Sequence, residues 1–339
     1  MKLNKLAALA LSGAMALSLA ACGGTQGNTE SPAADNSAAP AESPAAGGET
    51  YTVGICQQMT HDALDAATQG FKDALNELLP GQVTFDEQDA GGEYANCGTI
   101  MDGFVAEGVD LILANATYPL QAAASATADI PILGTSVTDY ATALNIEDWT
   151  GTVGGNISGT SDLAPLDQQA AMLQELFPDA QNVGLLYCSG EPNSVYQVDT
   201  IEGYLTAIGY TCEQFAFTDV NDLSAVTQSA CDSSDVIYIP TDNTAAANTE
   251  TIANVVIPAG VPVVAGESGI CSGCGVATLS ISYYDIGYKT GEMAAQILTG
   301  EADISTMPIE YAPNVTKMYN AANCQALGLV MPDDYQPIG

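Results

Sequence analysis

Arginine is absent from all 339 residues, and five lysines stand against 41 aspartates and glutamates. Such a surface repels nucleic acid and anionic lipid and disfavours a polyanionic ligand. It also removes the guanidinium fork that commonly grips a carboxylate or phosphate. Histidine is nearly missing too: the single one, His61, has no visible partner for general-base work. There is no Gly-x-Ser-x-Gly elbow, no His-Glu-x-x-His, no P-loop and no Gly-x-Gly-x-x-Gly after a strand. The chain therefore reads as a binding protein rather than an enzyme, with no cofactor and no metal.

What is present begins with a leader. Lys2 and Lys5 precede the apolar run Leu6–Leu19, and Leu19-Ala20-Ala21 leads into Cys22. The run is shorter than the roughly 20 residues of a membrane span. Leu-Ala-Ala-Cys resembles a bacterial lipobox, which predicts residues 1–21 as a signal peptide and a lipid on Cys22; a plain secretory signal is the alternative. Residues 22–49, rich in Gly, Ala, Ser, Pro and Asn without periodicity, are expected to be a flexible tether. No Asp or Glu precedes residue 22, so loss of the leader leaves Lys72, Lys289 and Lys317 against 41 acids, or 3 − 41 = −38. Eight further cysteines follow, at 56, 97, 188, 212, 231, 271, 274 and 324. A body of this size does not need disulfides, although an exported one permits them. Cys271-Ser-Gly-Cys274 lacks a second CxxC or a nearby histidine to complete a tetrahedral metal site, and is expected to be a loop disulfide or a pair of free thiols.

The body opens with a β-loop-α unit. Apolar Thr52–Cys56 suits a buried strand, and Leu64, Ala67, Phe71 and Leu75 give helical spacing over Asp62–Leu79, which Pro80-Gly81 ends. Val83–Phe85, Val109–Ala114 and Pro131–Gly134 read as further strands, with helices Tyr94–Ala106 and Leu120–Ala128 between. The pattern recurs: Val183–Tyr187 answers Val53–Gln57, Asp235–Tyr238 answers Asp110–Leu113, and Pro262–Val264 answers Pro131–Leu133. Strands alternating with helices predict an α/β fold of two Rossmann-like lobes with parallel sheets. Glycine-rich Gly151–Asp167 reads as a first crossover before helix Leu166–Leu176, with returns near Ser280–Tyr283 and Ile309–Pro313, so three crossings make a hinge. The expected N-terminal lobe is residues 50–160 plus about 283–310, and the C-terminal lobe 161–282 plus about 311–339.

Ligands of open parallel sheets bind beyond the carboxyl ends of the strands. The candidate loops are Gln57–Asp62, Ala114–Tyr118, Thr135–Tyr140, Ser158–Asp162, Tyr187–Ser194, Thr241–Asn243 and Glu267–Gly269. They supply Gln57, Thr60, His61, Asn115, Thr117, Thr135, Ser136, Thr160, Ser161, Asp162, Tyr187, Asn193, Asp242, Asn243 and Glu267, with Tyr283 beside them. Helix capping explains any one of these residues, whereas together they suit a binding cleft. Without arginine, a carboxylate would rest on backbone N–H groups and on hydroxyls of Thr117, Thr135, Ser136, Thr160 or Ser161. An ammonium group would meet Asp162, Asp242 or Glu267. Tyr118, Tyr140, Tyr187 and Tyr283 could stack on a flat side chain.

Four motifs carry a family likeness: Ile55-Cys56-Gln57, Thr60–Asp65, Asn156–Asp162 and Ser282–Gly287. With the lipobox, tether and paired repeats they resemble the substrate-binding lipoproteins of ABC transporters, some of which bind tryptophan or tyrosine. The likeness spans Thr50–Tyr335 and implies the type I periplasmic-binding-protein fold. It further implies a small-molecule ligand, with an aromatic amino acid expected, and delivery to an ABC permease and its cytoplasmic ATPase. The protein would be extracytoplasmic, held to the membrane by the lipid on Cys22, and without nucleic-acid partners. A sugar or nucleoside receptor, or a sensing subunit for a signalling partner, is the competing expectation. The cysteine pair 271/274 departs from the glycine-rich loop usual at that place.

Overall fold

The computed structural model describes residues 49–338. The predicted signal peptide, Cys22 and the tether as far as Gly48 lie outside the described residues. In chain order the elements are β1 (Tyr51–Gln57), α1 (Asp62–Leu78), β2 (Val83–Asp89), α2 (Tyr94–Glu107), β3 (Leu111–Asn115), α3 (Thr117–Ala126), β4 (Ile132–Val137), α4 (Tyr140–Leu144) and β5 (Ile157–Ser161). There follow α5 (Leu166–Leu176), β6 (Asn182–Cys188), α6 (Pro192–Ala207), β7 (Thr211–Phe217), α7 (Val220–Ser233), β8 (Val236–Ile239), α8 (Asn243–Ala247), α9 (Thr249–Ala259), β9 (Val263–Ala265), α10 (Ser268–Gly273) and β10 (Ala277–Ser280). The chain closes with α11 (Tyr283–Leu298), β11 (Glu310–Tyr311), β12 (Thr316–Tyr319), α12 (Ala321–Ala326) and β13 (Gln336–Pro337).

Two sheets result, ordered β11-β5-β4-β3-β1-β2 and β13-β12-β10-β9-β8-β6-β7. Each contains the same five-strand core, β2-β1-β3-β4-β5 and β7-β6-β8-β9-β10, all parallel. The repeat read from strand spacing is thus a repeat of topology. In both, the strand order reverses beside the first strand, which opens a crevice at the carboxyl ends of β1 and β3 and of β6 and β8. β1 is buried from Val53 to Gln57 because helices cover both faces of the sheet. α1 turns Leu64, Ala67, Phe71 and Leu75 inward, and a fully buried Leu or Phe contributes about 1.5–3 kcal/mol.

The chain passes between lobes after β5, after β10 and after β11, since β11 pairs with β5 while β12 pairs antiparallel with β10. α11, fed from the second sheet, packs on α1 of the first lobe. Three glycines set that contact: a Cβ on Gly291 would lie 2.6 Å from the Phe71 carbonyl oxygen, and Cβ atoms on Gly70 and Gly287 would strike the opposite backbone harder still. Tyr284 and Tyr288 then donate to Asp73 (3.0 Å) and Glu77 (2.9 Å) along the outer edge.

Several local expectations change. α3 starts at Thr117, three residues before the predicted start, with Pro119 in its first turn, where a missing N–H costs nothing. Thr135 and Ser136 belong to β4 rather than to a loop, and glycine-rich Ile157–Ser161 is a buried strand rather than a crossover. The first crossing is therefore only residues 162–165. Cys271 and Cys274 sit on and just after α10, not in a loop, and both are buried free thiols.

Candidate functional site

The carboxyl ends of β1, β4 and β5 face those of β6, β8 and β9 across a closed cleft. Its inner cavity is lined from the first lobe by His61, Ser136 and Asp162, and from the second by Asn193, Asp242, Asn243 and Glu267, with Tyr283 at the crossing. It encloses about 10 Å³, the room of one water molecule.

Three buried polar atoms in this cavity have no hydrogen-bond partner: Asp162 Oδ1, Asn193 Oδ1 and Ser136 Oγ. Their residues are 4%, 7% and 6% exposed, so water does not satisfy them from outside. Each orphan costs about 1–3 kcal/mol, which a folded chain normally avoids. Asp162 follows β5, and its other oxygen accepts from the Tyr283 hydroxyl at 2.9 Å. Ser136 has φ +54°, a left-handed residue at the register shift between Gly134 and Val137, and this turns its hydroxyl into the cleft. Asn193 donates its amide to the Thr241 carbonyl at 3.0 Å and leaves its oxygen free. Asn115 Oδ1 and Thr278 Oγ1 are also unpaired but do not line the cavity.

The other two acids have different work. Asp242 accepts from Cys188 N (2.6 Å) and Ala245 N (2.8 Å), capping α8, and Glu267 caps α10 through Gly269 N and Ile270 N. Burial raises the Asp162 carboxyl above the usual range. Burial, reinforced by the charge of Glu191, pushes Asp242 up to about 7, and burial does the same to Glu267. His61 is held below its usual pKa by burial, so it is a neutral imidazole. Its Nε2–H donates across the cleft to Asn243 Oδ1 at 3.2 Å. Asn243 is oriented for this by Glu191, which accepts from its side-chain amide (2.8 Å) and its backbone N–H (3.0 Å). A second bridge between lobes runs from the Tyr118 hydroxyl to the Gly190 carbonyl, and Tyr94 meets Tyr118 edge-on at 5.3 Å.

The remaining predicted residues are placed elsewhere. Gln57 and Asn115 are wired to Thr68, Asp65 and the Leu64 carbonyl beneath α1. Thr60 bonds Asp89 at the cleft rim, and Thr117 lies buried in the first turn of α3. Thr135 and Thr160 point away from the cavity, bonding each other (3.1 Å), with Thr160 also reaching Thr290 of α11 (2.8 Å). Ser161 donates to the Thr138 carbonyl and accepts from Leu163 N, shaping the first crossing. Tyr187 points into the second-lobe core, where its hydroxyl finds Gln214. Tyr140 is entirely buried and bonds the Thr160 carbonyl, so of the four candidate aromatics only Tyr283 reaches the cavity and Tyr118 its mouth. Glu191, buried and central to the His61–Asn243 bridge, has no distinguishing signal in the sequence: it precedes Pro192 at a helix start, where it looks like an ordinary first-turn acid.

Two wider spaces adjoin. A vestibule of about 630 Å³ at the mouth is lined by Met59, Asp89, Tyr118, Glu191 and Asp219. A groove of about 470 Å³ lies between α1, α10 and β12. Neither is lined by an unpaired buried atom, which sets the inner cavity apart as the candidate site. Among the described residues no three His, Cys, Asp or Glu side chains converge as metal ligands, and no helix is long and apolar enough to cross a membrane.

Residues 52–336 match the sequence profile of the ABC transporter substrate binding protein family. A tyrosine-binding protein of Clostridioides difficile is 31% identical over 280 residues, 82% of this chain and 81% of that protein. The crystal structure of an ABC domain from Streptococcus pneumonia in complex with L-Trp is 30% identical, covers 86% of this chain and all of that one, and superposes with a TM-score of 0.81. The ligand-free, open structure of a Clostridium difficile substrate-binding protein with adhesive properties is 33% identical over 85% of this chain and 99% of that one, yet its TM-score is 0.67. The nearer sequence thus has the poorer superposition. This chain superposes better on the L-Trp complex than on the open structure.

Proposed function

This chain belongs to the ABC transporter substrate-binding protein family, a family that binds substrates without transforming them, and we propose that its ligand is an aromatic amino acid, tyrosine or tryptophan. The observation that carries the reading is the convergence of unpaired Asp162 Oδ1, Asn193 Oδ1 and Ser136 Oγ in one interlobe cavity. Two acceptors and a hydroxyl, amid buried acids and without a cation, suit a ligand that brings its own ammonium group. The Ser136 hydroxyl and the adjoining backbone N–H groups then serve the carboxylate, as they must in a chain without arginine. Relatives described as tyrosine-binding and as bound to L-Trp support the aromatic side chain.

Ligand contacts from both lobes would stabilise the closed arrangement over an open one, with residues 162–165, 281–282 and 312–315 as the hinge. The closed cavity is far smaller than an aromatic amino acid, so access requires opening and the loaded cleft must be wider than this one. Substrate-binding proteins of ABC transporters are extracytoplasmic. Tethering through a lipid on Cys22 and delivery to a permease driven by a cytoplasmic ATPase complete the proposal. The test is thermal shift and calorimetry against L-tyrosine, L-tryptophan, other amino acids, ribose and adenosine. At about 100 times its dissociation constant the true ligand stabilises by about 2.7 kcal/mol. A response to ribose or adenosine with none to any amino acid would refute the ligand while leaving the family intact.

A further inference from the structure

Cys56 is the penultimate residue of β1, and Cys97 lies on the first turn of α2, the helix laid over that face of the sheet. Both are completely buried in one cluster with Ala90, Met101 and Phe104, and α2's first turn is otherwise exposed. The two side chains meet where α2 packs on β1, and each thiol is the neighbour that most alters the other's proton affinity. Three of the six other sulfurs are occupied by carbonyls: Cys188 donates to that of Thr218, Cys274 to that of Ile270 and Cys324 to that of Val276. Cys271 and Cys274 share one helical turn, where burial rather than the partner thiol is the largest influence on each.

We propose that Cys56 and Cys97 form a disulfide in the extracytoplasmic setting of this family, which ties the start of α2 to the end of β1 while the remaining buried thiols stay reduced. The pair is chemically unequal, as exchange requires. The Cys97 thiol is drawn down by its partner and that of Cys56 is pushed up, which makes Cys97 the attacking thiolate. Cys97 displaces one thiolate from an external disulfide, giving a mixed disulfide; Cys56 then attacks the Cys97 sulfur and expels the second. Two protein thiols are oxidised, one external disulfide is reduced to two thiols, and the two protons pass to those products. Gly91 and Gly92, both at positive φ ahead of α2, provide a backbone that lets the helix start swing aside for the exchange. The bond would stiffen the lip of the cleft, because Ala90 N and Gly92 N donate to the Gln57 and Gln58 carbonyls beside it. This goes beyond the ligand reading and is independent of it.

The test uses the full chain, exported to an oxidising envelope and denatured in N-ethylmaleimide without reductant. Cleavage after Asp and Glu isolates Cys56 and Cys97 on short peptides of their own, whereas cleavage after Lys72 would leave Cys97 on one peptide with five other cysteines. The expected product joins residues 50–62 to residues 94–102 and is about 2 Da lighter than the two thiol peptides together. Cys97→Ser abolishes it and Cys271→Ser keeps it. Adding reductant lowers the melting temperature of the parent chain by about 5–8 °C. Full alkylation of both peptides after equilibration with oxidised glutathione overturns the proposal, as does a link from Cys56 to any other cysteine. Should Cys97→Ser fail to fold, the parent peptide map decides alone.

Discussion

Asp162→Asn separates a ligand-binding role from a structural one, because the two roles move stability in opposite directions. In the ligand-free cleft Asp162 is a buried carboxyl with one oxygen held by Tyr283 and the other unpaired. Asparagine keeps an oxygen for Tyr283 and removes the buried charge, so the empty protein gains about 1 kcal/mol, or about 2–4 °C in melting temperature. Toward a ligand ammonium, the same change replaces an acceptor with an N–H₂ donor. Losing one member of a buried charged hydrogen bond costs about 2–5 kcal/mol. Asp242 and Glu267 remain nearby and soften the loss, so about 3 kcal/mol is expected, a roughly 150-fold rise in Kd for L-tyrosine or L-tryptophan. Titration calorimetry reads the affinity, and a thermal melt without ligand reads the stability. Affinity within twofold of the parent removes Asp162 from ammonium recognition. A fall in both affinity and ligand-free stability makes it a structural acid.

Glu267 and Asp242 have folded pKa values raised to about 7, so their stabilising contribution is complete below their unfolded values near 4 and is lost as pH rises through 7. Ligand-free melting temperature should therefore fall from pH 5 to pH 8, with Glu267 alone worth on the order of 3 kcal/mol, while affinity for an amino acid rises; a flat profile contradicts the burial of these acids. Tyr118→Phe deletes a bond between lobes that exists only when the cleft is closed. It should speed ligand release about 5-fold with an unchanged association rate in stopped-flow measurements, and an unaltered release rate would show that the Gly190 contact carries no weight. Gly159→Ala forces a Cβ against the Gly134 carbonyl and the Tyr140 hydroxyl at φ +146°, and should cost more than about 4 kcal/mol in urea unfolding or prevent folding. Gly203→Ala, mid-helix in α6 with nothing within 4 Å of the new methyl, should instead gain about 0.5–1 kcal/mol.

Strand and helix alternation was legible because buried parallel strands are apolar runs and their covering helices keep a 3.6-residue period; α1, α5 and the start of β1 lie within a residue or so of where that pattern puts them. The site was legible only to the level of the loop. Thr135 and Ser136 look alike in sequence, yet adjacent residues of a strand face opposite sides. Thr135 therefore meets α11 and Ser136 meets the cavity, a distinction set by where β4 ends and by the bulge that no periodicity reveals. Thr160 and Tyr187 are lost to the site for the same reason. The acids pose a different difficulty. Asp162, Asp242 and Glu267 all follow strands and precede helical segments, so each fits capping and ligand binding equally. Only the partner of each oxygen separates them: the last two hold helix N-termini, and one oxygen of Asp162 holds nothing.

That distribution bears on how a cleft without arginine would recognise the proposed zwitterionic ligand. Carboxyls facing a neutral imidazole in a dry cleft would repel one another if fully ionised. Their raised pKa values let protons take that charge away, and the His61–Asn243 and Tyr118–Gly190 bonds then hold the lobes together. An incoming ammonium does the same electrostatic work as those protons while also satisfying Asp162 and Asn193. An ammonium-bearing ligand and a proton would thus compete for one negative charge, and the ligand would gain where it fills the acceptors that a proton on Glu267 or Asp242 cannot reach. A ligand without a cation leaves those acceptors bare and gains no such advantage. Under the proposed function the scarcity of positive charge would act as a selectivity device at the site: the cleft supplies acceptors and the ligand would bring the cation.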